Sequence, residues 1–127
     1  MLTKFAANSV TKPGSSPVFT NPRDLGLNYK DVTFKASDGV TLSGWLLKGR
    51  TNKVIILSHF GIYSSRSGYT RQGKGMIGRY HKDISFLEMA KHLVDNGYNV
   101  LMYDFRNHGN SAKGTCEWIT GGVEEQK

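Results

Sequence analysis

Alternation of polar and apolar residues predicts a pair of antiparallel strands in the first half of the chain. The stretch Asp31 to Lys35 alternates between the two classes, which is the period of a half-buried strand. Ser37, Asp38 and Gly39 follow, and an Asp-Gly pair supplies the positive φ angles of a tight hairpin turn. Val40 to Leu47 then returns as the second strand, so the pattern predicts a β-hairpin.

A strand, a helix and a further strand follow and predict a parallel crossover. Val54 to Leu57 is continuously apolar, which suits a strand covered on both faces. Ser85 and Glu88 form a capping box at a helix start, and Gly97 lies where a left-handed C-cap is needed. Apolar residues fall at helical spacing between them: Phe86, Leu87, Ala90, Leu93 and Val94. Val100 to Tyr103 is the next strand, and this order predicts a right-handed unit with parallel strands.

The two ends of the chain carry different signals. Residues 1–28 are rich in proline, glycine and serine, a composition that favours a flexible loop or tether, and the domain is predicted to cover residues 29–127. Near the C-terminus, Thr120 or a following glycine can cap a helix whose first turn holds Glu124 and Glu125. Another helix is therefore predicted to begin there.

Charge and composition narrow the classes of function. The chain has 127 residues, enough for one small domain, with 17 Lys and Arg against 10 Asp and Glu, a net charge of +7. Most of the excess lies between residues 62 and 84, where five basic residues face one acid: Arg66, Arg71, Lys74, Arg79, Lys82 and Asp83. No basic helix, zinc-finger spacing or RNA-binding strand motif accompanies them, so a nucleic-acid partner is not predicted. No apolar run reaches the length of a membrane span, so a membrane partner is not predicted either.

The single cysteine and the scattered histidines argue against an internal disulfide and against a metal site. Cys116 has no second cysteine with which to form an internal disulfide, which favours a reducing cytoplasm. The four histidines and this cysteine show no metal-ligand spacing, and neither a metal nor another cofactor is predicted.

Three motifs occur in a fixed order along the chain. Positions 38–45 read D-G-x-x-L-x-G-W, His59 follows a buried strand, and positions 104–111 read D-x-R-x-H-G-x-S. Together with a hairpin that leads into a β-α-β unit, they resemble the N-terminal half of the α/β-hydrolase superfamily, in particular its cytosolic esterase- and peptidase-like serine hydrolases. The resemblance implies half of a three-layer α/β/α fold. In the sheet of that fold, the strand at Val54 is expected to lie between the strand at Val100 and a strand that is not in this sequence.

The resemblance also implies part of a catalytic site. In this family a backbone amide after the third strand helps to hold the oxyanion, and the matching donors are Phe60 or Gly61. Phe60 stands where the family usually has a glycine. His59 is expected to orient this loop, and the later turn is expected to support it through residues without a direct catalytic role: Asp104, Arg106, His108 and Gly109.

The nucleophile of such an enzyme is not in this sequence. No G-x-S-x-G occurs between residues 1 and 127, so the chain is expected to stop before the nucleophile elbow and to be inactive alone. The intact relative would cleave an ester, thioester or amide bond of a small acyl substrate. The unfinished sheet is expected to leave an open edge through which the chain could associate with itself.

A non-enzymatic function is the alternative. The loop 62–85 alternates aromatic and basic residues and could bind an anionic ligand or a protein partner, with Tyr63, Arg66 and Tyr69 as candidates for substrate access. The same loop contains G-x-x-x-x-G-K from Gly68, but Gly75 follows in place of the hydroxyl residue that a phosphate-binding loop requires. A phosphate-binding loop is therefore not predicted.

Overall fold

The computed structural model describes residues 14–60, 63–70 and 83–114, together with 3, 4 and 7. Between residues 14 and 114, the described part of the chain forms one short 3-10 helix (Pro22–Leu25), one longer α-helix and six strands. In chain order they are β1 (Tyr29–Lys35), β2 (Thr41–Leu47), β3 (Val54–Ser58), β4 (Gly68–Tyr69), β5 (Ile84–Ser85), α1 (Phe86–Asp95) and β6 (Asn99–Tyr103).

Four strands form the main sheet in the order β1-β2-β6-β3. β1 and β2 pair antiparallel as the predicted hairpin, and β3 and β6 pair parallel across α1, with Ile55 opposite Val100 and Leu57 opposite Met102. The predicted fold class, a hairpin followed by a parallel β-α-β unit, is confirmed. β4 and β5 form a separate two-stranded sheet that the pattern did not indicate.

The hairpin turn differs from the predicted geometry. Gly39 has a φ of 86°, whereas Asp38 does not adopt a positive φ. The turn closes through hydrogen bonds from Ala36 N–H to Val40 O (2.9 Å) and from Gly39 N–H to Ala36 O (2.9 Å). One left-handed residue is sufficient here, because the loop is longer than the two residues of the tightest hairpins.

Helix α1 ends as predicted but begins differently. Gly97 has a φ of 97°, and hydrogen bonds from Gly97 N–H to Val94 O and from Tyr98 N–H to Leu93 O close the C-terminus. At the N-terminus, Ser85 is extended and its side chain makes no capping hydrogen bond. The predicted capping box is therefore wrong: the backbone of Ser85 is held by strand pairing with Gly68 instead.

The core lies between α1 and one face of the main sheet. Its buried apolar side chains are Leu27, Trp45, Leu47, Leu87, Ala90, Val100 and Met102. Because successive side chains of a strand point to opposite faces, the other face of the sheet carries the alternate residues. Val54 and Ile56 on that face are 55% and 63% exposed.

Residues 14–28 pack against the rest of the chain, which differs from the flexible tether that their composition predicts. Leu27 and Pro22 are buried, and the hydroxyl of the buried Ser16 donates to the Tyr63 carbonyl (2.6 Å). Ser65 Oγ likewise donates to the Pro17 carbonyl (3.1 Å). Irregular backbone is stable here because side-chain hydroxyls satisfy its polar groups, which composition alone does not reveal.

Several predictions fall on residues that the structure does not describe. They include Gly61, Cys116, the helix near Thr120 and most of the basic connection. Among the described residues, no helix has both the length and the apolar character that crossing a membrane requires.

Candidate functional site

His59 follows β3 directly and is almost completely buried, with 4% of its surface exposed. Its Nε2 accepts a hydrogen bond from the Phe105 N–H (3.0 Å). Since a backbone N–H can only donate, Nε2 carries no proton, and the proton of the neutral ring is on Nδ1. Nδ1 lies 2.7 Å from the Phe60 carbonyl oxygen and 2.9 Å from Ser64 Oγ. The ring thus connects the loop after β3 to the turn after β6.

The surroundings of His59 keep the ring neutral. Burial lowers the pKa of His59, and the nearby His108 lowers it further, while the hydrogen bond to the Phe60 carbonyl and the charge of Asp104 act in the opposite direction. The His59 and His108 rings are 5.2 Å apart. Both nitrogens of His59 are engaged with the protein, so this ring holds the loop and has no free lone pair to accept a proton.

Phe60 combines a fixed backbone with a half-exposed side chain. Its carbonyl accepts hydrogen bonds from His59 Nδ1 and from Ser64 Oγ. Its ring is 50% exposed and packs edge-to-face on Phe86, at 5.6 Å between centroids. Gly61, the other candidate donor to an oxyanion, lies outside the described residues.

Ser64, His59 and Asp104 resemble a catalytic triad in composition but not in geometry. In a triad the second ring nitrogen of the histidine donates to the carboxylate. Here that nitrogen accepts from a backbone amide, and the Asp104 carboxylate is bound to Arg66 and Asn110. Ser64 is fully buried, and its hydroxyl donates to the Phe60 carbonyl. These three side chains therefore position backbone and do not form a nucleophilic site.

Asp104 fixes the turn that follows β6. Its fully buried carboxylate accepts from the Arg66 N–H (2.6 Å), from the Arg66 guanidinium (2.8 Å) and from the Asn110 N–H (2.9 Å). The Arg66 guanidinium also stacks over the Trp45 ring at 4.3 Å. Burial lowers the pKa of Arg66, and the neighbouring Asp104 carboxylate opposes that change.

The role predicted for Arg66 in substrate access is wrong. Arg66 is 4% exposed, and its charge is paired with Asp104 inside the protein. A buried arginine in an ion pair cannot also bind an anionic ligand without leaving the Asp104 charge unpaired, which would be strongly unfavourable. Tyr63 and Tyr69 are half-buried, and their predicted role in substrate access stays a prediction.

Gly109 and Ser111 complete the same turn. Gly109 has a φ of 48°, and a Cβ atom placed there would lie 2.3 Å from the Asp104 carboxyl carbon. Its N–H donates to Ser15 Oγ (2.8 Å), which attaches the N-terminal segment to the site. Ser111 Oγ donates to the Asp104 carbonyl (2.6 Å) and accepts from the Ser43 N–H (2.9 Å). The turn is therefore bonded to β2 as well as to the loop after β3.

Arg106 connects two of the sequence motifs. Its guanidinium donates to Asp38 Oδ2 (2.6 Å) and Oδ1 (3.4 Å), across 68 residues of chain. The hydrogen bond from Arg106 lowers the pKa of the Asp38 carboxyl. His108 is buried, and its Nδ1 lies 2.9 Å from the Arg106 carbonyl oxygen.

The sequence did not identify Ser64 or the serines of the N-terminal segment as parts of this site. The available signal was the run Ser64-Ser65-Arg66-Ser67, four consecutive polar residues that are all buried. Among the described residues, no group of three or more His, Cys, Asp or Glu side chains could hold a metal ion.

Comparison with known proteins finds similarity at the level of solved structures. No protein-family model matches the chain, and no curated protein matches its sequence. The Pyrococcus furiosus esterase Pf2001 in space group P212121 matches with a TM-score of 0.61 and 31% identity, over 84% of this chain and 34% of the esterase chain. The same esterase in space group P21 gives a TM-score of 0.59 and 32% identity, over 87% and 37% of the two chains.

The fold and the anchored loops together define a partial α/β-hydrolase fold. Over the part that the esterase structures cover, this chain is related to the α/β-hydrolases. It spans only about a third of the length of the esterase chains that it matches.

Proposed function

We propose that this chain provides the oxyanion-binding loop of an esterase-like serine hydrolase. The observation that carries the proposal is the set of hydrogen bonds around His59, which fixes the Phe60 carbonyl at the carboxyl end of β3. A serine nucleophile, its histidine base and the acid that orients the base would lie in another part of the intact protein.

The direction of the Phe60 carbonyl favours one amide as the donor. The carbonyl and the following N–H of a trans peptide bond point in opposite directions. A carbonyl held toward His59 and Ser64 therefore favours the amide of Gly61 over that of Phe60 as the donor to the substrate oxygen. A rotated peptide would instead present a carbonyl oxygen to the developing negative charge, which would oppose the reaction.

The proposed substrate is a small acyl compound, and an ester is favoured over a thioester or an amide. The support is the esterase that this chain resembles at 31% identity. Nucleic acid and membrane are not proposed as partners. The proposed compartment is the reducing cytoplasm, for which the lone Cys116 is the support.

A histidine substitution in the intact protein tests this proposal. His59→Phe keeps a ring against Phe105, which now lies 4.4 Å from the His59 ring, but removes both hydrogen-bonding nitrogens. We expect kcat for p-nitrophenyl acetate to fall about 10²- to 10³-fold, as for the loss of one oxyanion donor. His92→Phe, on the exposed side of α1, is the matched control and should leave kcat unchanged.

Two outcomes would reject the proposal. One is an intact protein that neither hydrolyses p-nitrophenyl esters nor reacts with a fluorophosphonate probe, which would favour the binding-module alternative. The other is a folded His59→Phe variant with the parent kcat. Residues 1–127 alone should show no turnover, since they contain no G-x-S-x-G nucleophile motif.

A further inference from the structure

The side chain of Phe60 is unusual for its position. The preceding His59 is buried, yet Phe60, directly after the apolar strand β3, is 50% exposed. An exposed phenylalanine usually makes few contacts that stabilise one position of its side chain, but this one is held in place. Its carbonyl is fixed by His59 and Ser64, and its ring is fixed by edge-to-face packing on Phe86, at an interplanar angle of 73°.

Phe86 is itself immobilised by the fold. It begins α1, its N–H donates to the Ser67 carbonyl (3.1 Å), and its side chain packs against the buried core. The two rings therefore form a preorganised apolar surface, which we call the Phe60/Phe86 surface. It lies at the carboxyl end of β3, the end of the sheet at which α/β folds bind ligands.

We propose that the Phe60/Phe86 surface binds an apolar group attached to the scissile carbonyl of the substrate. The inference rests on the proposed function, because the surface adjoins the loop that would hold the oxyanion. The Phe60 side chain branches from the residue whose carbonyl is fixed, so an acyl carbon held by the next amide would lie beside the ring. An apolar substituent gains from leaving water against the ring, whereas a charged one loses hydration.

The apolar group could be on the acyl side or the alcohol side of the ester, and two pairs of probes distinguish these. Acyl selectivity is the ratio of kcat/KM for p-nitrophenyl hexanoate to that for p-nitrophenyl acetate. Alcohol selectivity is the corresponding ratio for hexyl acetate to ethyl acetate. Both ratios are measured on the intact protein and on its Phe60→Ala variant, so that differences in intrinsic reactivity cancel.

We expect Phe60→Ala to lower at least one of the two ratios about tenfold, the scale on which hydrophobic pockets discriminate. Phe34→Ala is the matched control, since Phe34 is also an exposed phenylalanine but lies on β1, in the outer strand of the sheet. It should leave both ratios at the parent values. If the Phe60→Ala variant does not fold, Phe60→Leu replaces it, because leucine keeps an apolar side chain on Phe86. Phe60→Leu should lower the same ratio by a smaller factor.

The outcomes separate this inference from the proposed function. If the intact protein hydrolyses these esters but both ratios stay within about twofold in the Phe60 variants, the inference is wrong and the proposed function stands. If the intact protein hydrolyses none of the four esters, the proposed function fails and the inference falls with it.

Discussion

At the scale of single residues, Gly109 combines a positive φ with a lack of space for a side chain. The Asp104 carboxylate occupies the space that a side chain at position 109 would need, at 2.3 Å. The carboxylate cannot move aside easily, because Arg66 and Asn110 hold it through hydrogen bonds. The sequence motif placed a glycine here for its backbone angle, and the structure adds the requirement for space.

We predict that Gly109→Ala destabilises the chain more than Gly39→Ala does. Both glycines have a positive φ, but a Cβ at Gly39 would meet nothing within 4 Å. Gly39→Ala should therefore cost only about 1–2 kcal/mol of conformational strain. Gly109→Ala adds displacement of a buried ion pair, for a total of about 3 kcal/mol or more. Urea unfolding measures both, and equal losses would contradict the packing of Asp104.

We predict that His59 makes the chain less stable in mild acid. Burial lowers its pKa in the folded state, whereas an unfolded histidine has a pKa of about 6.5. As the pH falls below about 6.5, the unfolded state therefore takes up the proton first, and stability is lost until the pH passes the lower folded pKa. Above that window the ring is neutral in both states and contributes no slope.

Urea unfolding between pH 5 and 8 tests this prediction. The free energy of unfolding should decline below about pH 6.5 in the parent chain and less steeply in His59→Phe. The other titratable groups are common to both proteins. The same pH slope in parent and variant would therefore show that His59 is not held neutral by burial.

At the scale of elements, the helix termini show where a sequence motif does and does not describe the contacts. The 3-10 helix has a formed capping box, with Asn21 Oδ1 accepting from the Arg23 N–H (3.0 Å) and Asp24 Oδ2 accepting from the Asn21 N–H (3.1 Å). At α1 the sequence has the residues of a capping box, but Ser85 makes no such bond. The difference arises because strand pairing between β4 and β5 fixes the backbone at Ser85.

We predict opposite responses to alanine at these two caps. Asn21→Ala should cost about 1 kcal/mol, the usual loss for a functioning cap. Ser85→Ala should change stability by less than about 0.5 kcal/mol, as for a site without a specific interaction. Urea unfolding of the two variants under identical conditions measures the difference. A loss at Ser85 as large as at Asn21 would mean that the Ser85 hydroxyl caps α1 in solution.

At the scale of the whole molecule, the two edges of the main sheet differ in their protection. β1 carries charged residues that discourage pairing with another chain: Lys30, Asp31 and Lys35. β3 has no charged residue, and its described neighbour lies on one side only. Val54 and Ile56 add exposed apolar surface to that edge.

We predict that the isolated chain self-associates through β3. Ile56→Lys should shift the sedimentation coefficient toward that of a monomer, because a charge on an edge strand opposes pairing. Thr33→Lys, at an exposed position of the opposite edge strand, is the matched control and should leave association unchanged. A parent chain that is a stable monomer, with amides of β3 strongly protected from hydrogen exchange, would contradict the prediction.

The sequence by itself determined the four strands of the main sheet, helix α1 and the parallel crossover of this protein. These features follow from hydrophobic periodicity, which is a local property of the chain. The order of three short motifs likewise indicated the α/β-hydrolase relationship that the esterase structures support. The position of β3 at an edge followed from the same resemblance.

Only the tertiary structure decided how the polar residues of the site are paired. Arg66 contacts Asp104 across 38 residues, Arg106 contacts Asp38 across 68, and Ser15 contacts Gly109 across 94. No local pattern encodes these partners. Buried polar groups need hydrogen bonds, and which group satisfies another depends on which parts of the chain the fold brings together. For that reason Arg66 was indistinguishable in the sequence from a solvent-facing arginine, although the fold makes it the buried partner of Asp104.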